Sequence, residues 1–179
     1  YTNSVERSYA RVQTLLEMKN TVSEIDNETI KILDSVKGNT TQVEGNTDSD
    51  KKYKLLASLE QLNKWKKNYS SNLEVGTVTQ ALFIRRIDDL QNTIVDTALH
   101  YVDLQEHDVE GAVKDEAYQA TLNSLTELKG AIDGAVAEEI QGVERAVATA
   151  DAAKLRANQT NSIISFVTII VAIGLGILL

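Results

Sequence analysis

LNSLTELKGAIDGAVAEEIQGVERAVATADAAKLRANQTNSIISFVTIIVAIGLGILL, running from Leu122 to Leu179, decides how this chain is built. Leu122, Leu125, Leu128, Ile132, Val136, Ile140, Val143, Val147 and Ala150 recur at steps of three or four, which places them on one face of a helix. No proline interrupts the pattern, and Gly134 and Gly142 are tolerated inside a helix at modest cost. The polar set Lys154, Arg156, Asn158, Gln159, Thr160 and Asn161 follows, and then Ile163 to Leu179 carries no charge at all. A helix rises about 1.5 Å per residue and bilayer hydrocarbon is about 30 Å thick, so roughly 20 residues cross it. The expectation is a packed helix that continues rigidly into a transmembrane helix begun at residues 161–179 and completed beyond Leu179.

The chain has no initiator Met and stops inside an apolar run, so it reads as a piece of a longer protein. Without the span roughly 160 residues remain, enough for one domain with a real core. Proline and cysteine are absent and aromatics make up 5%, a balance that favours helices over a sandwich or barrel. Lacking cysteine, the chain has neither a disulfide scaffold nor thiol chemistry. Its net charge of −8 argues against a nucleic-acid-binding surface.

Going back to the start, a first helix is expected over residues 2–37. Leu15, Val22, Thr29 and Val36 repeat every seven residues, as do Met18, Ile25 and Ile32, which makes a heptad seam. Gly38 opens GNTTQVEGNTDSD, a polar loop without apolar period. Ser49 or Asp50 can cap a second helix that runs to about Tyr69, with Leu55, Leu59 and Leu62 on one face. SSNLEVGT, 70–77, makes the next turn. A third helix runs from Val78 to about Gln105 with Phe83, Ile87, Leu90, Ile94, Thr97, Tyr101 and Leu104 facing inward. EHDVEG, 106–111, is the last turn, and the fourth helix starts near Ala112 or Lys114. Four helices on short connections give an all-α fold, an elongated antiparallel up-down-up-down bundle.

The four-helix order, the long last helix and its passage through AAKLRANQTNSIISFVTIIVAIGLGILL into a span resemble the periplasmic four-helix-bundle sensor domains of bacterial chemoreceptors, the methyl-accepting chemotaxis proteins, and of related sensor kinases. The resemblance implies an extracytoplasmic sensor domain at 1–160, a transmembrane helix before it, and a HAMP linker and signalling rod after the second span. It implies a homodimer in the bacterial inner membrane, with the bundle in the periplasm or outside the cell.

The sequence holds no HExxH, P-loop, nucleophile elbow or GxGxxG, so neither enzymatic activity nor a cofactor is expected. His100 and His107 stand seven apart, roughly 10 Å along a helix, too far to share a metal without further ligands, and read as solvated. Arginine is more informative. Arg11 falls one heptad before Met18 and should lean into the seam, while Arg85 and Arg86 sit near the start of the third helix between Ile84 and Ile87. These places lie at similar heights, and a guanidinium fork matches a carboxylate. Arg11 and Arg86, with Arg85 beside them, are therefore candidates to clamp a small anionic or amino-acid-like ligand between helices or across a dimer seam. The plainer alternative is an ion pair with the acidic fourth helix, through Glu144 or Asp151.

A second candidate is the end far from the membrane, where Thr40, Thr41, Gln42 and Asn46 should meet the turn at 106–111; solvated turns are the plainer alternative. Basic residues of the second helix, Lys51 to Lys67, could choose the acidic fourth helix as neighbour. Trp65 and Tyr69 are expected in the core rather than at headgroups. Small residues Gly134, Ala135, Gly142, Ala146, Ala150 and Ala153 would let a second copy approach, or fill the monomer core. The function these features suggest is solute sensing coupled to a helix displacement through a bilayer. The rivals are a sensor histidine kinase with the same ectodomain, and a helical membrane tether or pore-forming protein.

Overall fold

The computed structural model describes residues 2–37, 48–73, 78–107 and 111–178, with side chains over 6–35, 53–73, 78–104, 107 and 111–168. Every regular element described is a helix: α1 (Thr2–Lys37), α2 (Asp48–Ser71), α3 (Val78–Glu106) and α4 (Ala112–Leu178). The boundaries agree with the periodicity to within two residues. Residues 38–47 of the polar loop, with Thr40, Thr41, Gln42 and Asn46, residues 74–77 of the second turn and residues 108–110 lie outside the described residues.

Local chemistry sets the helix ends. Gly111 stands immediately before α4 at φ 110°, in the left-handed region where a Cβ is unfavourable. Its carbonyl accepts from Lys114 N at 3.2 Å and Asp115 N at 3.4 Å, which closes the first turn. At the far end of α2, Asn72 N and Leu73 N reach back to the carbonyls of Tyr69 and Ser70.

The heptad seam of α1 is the spine of the core. Leu15, Met18, Val22, Ile25, Thr29 and Ile32 are all buried, and Thr14, Thr21 and Leu33 join them. The buried face is wider than two heptad columns because α1 packs on α2, α4 and, more lightly, α3. Leu55, Leu59, Leu62, Ile87, Leu90, Ile94, Leu125, Leu128 and Ile132 complete the same cluster. A smaller cluster of Leu33, Ala98, Tyr101 and Ala117 adjoins it through Leu122, and Tyr101 and Tyr118 lie there with ring centroids 5.5 Å apart.

Cross-helix pairs fix the relative heights. Along α1 and α4, Arg11 meets Glu139, Lys19 meets Asp133 and Asp26 meets Lys129, so numbers rise on one helix as they fall on the other. Gln80 to Glu139, Arg86 to Glu127 and Thr97 to Thr121 show the same opposed order for α3 and α4. The basic residues of α2 do not select α4. Among the described ion pairs between helices, the α4 acids take their cations from α1 and α3, while Lys66 of α2 goes to Asp88 of α3 and also bonds Gln91 there. Close helix packing had already chosen the neighbours, and exposed charge is too weak to override it.

The apolar stripe of α4 packs only along part of its length. Leu125, Leu128, Ile132 and Val143 are buried, whereas Ile140 and Val147 are exposed. From Asp151 to Val167 every residue is exposed. At about 1.5 Å per residue the 36 residues of α1 reach about 54 Å and the 67 of α4 about 100 Å, so α4 outruns its neighbours. Among the described residues no helix is long and apolar enough to cross a membrane. The side chains of 169–179, most of the charge-free run, lie outside the described residues.

Candidate functional site

One carboxylate ties all four helices together. Glu139 of α4 is 8% exposed. Arg11 of α1 donates from a single Nε–H to both of its oxygens, at 3.0 Å and 3.1 Å. From α2 the Tyr69 hydroxyl donates to Oε1 at 2.9 Å, and from α3 Gln80 Nε2 donates to the same oxygen at 3.1 Å. Arg11 is itself held from behind. Its Nη2 donates to Ser8 Oγ at 2.9 Å and its Nη1 to the Asn72 carbonyl at 3.4 Å. A buried charge is stable only when paired and hydrogen-bonded, and this one is both.

Burial first, then the negative charge of Glu139 and the hydrogen bond donated to it, push the Tyr69 hydroxyl well above its ordinary value of 10.0. The folded state therefore holds this proton more tightly than the unfolded chain does. Below pH 10 both states keep it and the stabilisation is complete; above, the unfolded tyrosine ionises first and stability falls. Tyr101, raised mainly by burial, adds a decline of the same sign. Tyr69→Phe should therefore lose stability less steeply above pH 10 than the wild-type chain, measured by urea unfolding at stepped alkaline pH. Identical slopes would show that Tyr69 is not what the rising pH titrates.

An open groove of about 550 Å³ adjoins this centre between α3 and α4, and Tyr69, Gln80 and Glu139 form part of its wall. Its α4 side contains Gly130, Gly134 and Gly142, and a Cβ placed on any of these would meet nothing within 4 Å. These three glycines are thus not demanded by packing inside the monomer, whereas Ala135 packs against the main cluster. Leu82 and Phe83 supply apolar surface from α3, and Arg86 and Arg145 stand among the lining residues.

Arg11 and Arg86 have different carboxylate partners. Arg11 is drawn to Glu139, neither Glu144 nor Asp151, and it uses one N–H rather than a fork. Arg86 is exposed and its Nη2 reaches Glu127 Oε2 at 3.5 Å. Glu127 and Glu139 stand twelve residues apart on α4, about 18 Å of rise, so the two arginines pair at different heights of α4 in the single chain, although Arg86 lines the same groove as Glu139. Arg85 is exposed on α3. His100 and His107 are also exposed; His107 Nδ1 lies 2.9 Å from the Asp103 carbonyl of its own helix.

Glu139, Tyr69 and Gln80 were not singled out by sequence as a site, yet a signal was present. Tyr118, Leu125, Ile132 and Glu139 form a heptad series on α4, so an acid occupies a core register. Following apolar residues alone steps to Ile140 and misses it. Comparison with known protein families, characterised proteins and solved structures gives no match to this chain.

Proposed function

We propose that this chain is the extracytoplasmic sensing module of a bacterial transmembrane chemoreceptor. In this reading residues 1–160 form an antiparallel up-down-up-down bundle that binds a small anionic or amino-acid-like solute, acts as a homodimer in the inner membrane, and is not an enzyme. The observation that carries the reading is α4 itself. One helix without a break from Ala112 to Leu178 bears the Glu139 centre, where all four helices are bonded, and the charge-free run begun at Ile163. That run, Ile163–Leu179, is what would enter lipid. A solute that favours one packing of the bundle would move α4 by about 1–2 Å, the scale of helix shifts at interfaces. Support for a second copy comes from apolar side chains left in water on α1 and α4: Tyr9, Leu16, Ile140 and Val147.

The test is thermal unfolding of the 179-residue chain in detergent, screened against sodium salts of small organic acids and against amino acids. Sensing predicts that at least one raises the melting temperature by several degrees in a saturable way, as binding to the folded state requires. A helical tether has no use for a solute. A flat response across the screen would therefore remove the sensing reading.

A further inference from the structure

We propose that the donors gathered on Glu139 are a receptor site for the carboxylate of a small solute, and that Glu139 is a resident stand-in which that solute displaces. This deepens the sensing reading and rests on it. Three donors from three helices, Arg11 Nε, Tyr69 OH and Gln80 Nε2, converge on one carboxylate. Such a set recognises a carboxylate by charge and by hydrogen-bond count, whichever molecule supplies it.

Two features favour exchange over a permanent lock. Arg11 is anchored independently by Ser8 and the Asn72 carbonyl, so it keeps its place when the carboxylate leaves. The other is access: the groove between α3 and α4 is open to solvent and walled in part by Tyr69, Gln80 and Glu139. A solute can approach along it, and the departing Glu139 side chain can swing into it. Bare backbone at Gly130, Gly134 and Gly142 leaves room there, and Leu82 and Phe83 offer apolar surface to the solute's body.

Exchange also supplies the difference between two states that a sensor needs. With Glu139 seated, α4 is bonded to α1, α2 and α3 at one height. With a solute carboxylate in its place, those three helices stay bonded to one another through the solute, and α4 loses its polar tie to them at that height while its core packing remains. The solute thus makes different contacts in the two states, which is the thermodynamic condition for driving a shift.

The internal competitor must weaken binding. If the open state is populated roughly one part in ten or less, the apparent affinity is reduced by that factor. Sodium acetate and sodium propionate, with sodium chloride at equal ionic strength as control, serve as probes in thermal unfolding of the full chain. Glu139→Gln and Glu139→Ala should respond to acetate at concentrations about ten-fold or more below those needed by the wild-type chain. Arg11→Lys, made in the Glu139→Gln background, should abolish the response. Should Glu139→Ala fail to fold in chloride, helicity regained on refolding in acetate would count in favour, and Glu139→Gln keeps the comparison open.

Equal acetate midpoints in wild-type and Glu139 variants would overturn the proposal. So would a response that survives Arg11→Lys, a response confined to the variants, or none in any of them. The sensing reading has its own readout. A solute that stabilises wild-type and Glu139→Gln chains at the same concentration would leave sensing intact and place its site elsewhere.

Discussion

Arg11→Ala is expected to destabilise the chain by about 3 kcal/mol, the lower end of the range for breaking a buried ion pair. The loss follows from what is left behind. Glu139, 8% exposed, keeps its bonds from Tyr69 and Gln80 but loses the only cation bonded to it among the described residues. The lower end applies because the Arg11 side chain is itself 17% exposed, so water partly screens the pair. Urea unfolding of the single variants and of Arg11→Ala with Glu139→Ala would complete the double-mutant cycle. If the penalty is the stranded charge, the double variant should be more stable than the sum of the two losses implies. A change below about 0.5 kcal/mol for Arg11→Ala would mean the carboxylate is solvated after all.

Leu128→Ala should cost about 2–5 kcal/mol and Ile140→Ala about 0.5 kcal/mol or less, although both residues belong to one apolar stripe. Leu128 is fully buried in the main cluster, and truncating it removes packed methyl groups and leaves a cavity. Ile140 is 42% exposed in the single chain, so little packing is lost. The comparison is made by urea unfolding at low protein concentration. A cost at Ile140 that grows with concentration would report burial by a second copy. Equal costs at both positions in dilute protein would contradict the packing described for α4.

Helix existence and extent were legible because they follow from periodicity, a property each helix carries alone. Leu15, Met18, Val22, Ile25 and Ile32 could be placed in the core from their spacing, and the structure buries all five. The lean of Arg11 into the seam was legible for the same reason. Its partner was not. Choosing Glu139 over Glu144 requires the axial offset between α1 and α4, which is set by the packing of side chains on both helices and by the connections. The same offset gives Arg86 a different partner, Glu127, twelve residues from the partner of Arg11. The stripe of α4 was read too far, through Ile140 and Val147, since periodicity says which face is apolar and not how far a neighbour accompanies it. Glu139 is invisible to apolar periodicity because it interrupts the pattern, which is how a buried polar centre looks in sequence.

The uninterrupted backbone ladder of α4 has a mechanical corollary. A strut about 100 Å long with no joint has no hinge at which a displacement could be absorbed, so torque applied at one point is passed along it. Leu155 and Phe166 are joined to Glu139 by that same ladder, so a turn of the helix about its axis at Glu139 is carried toward both.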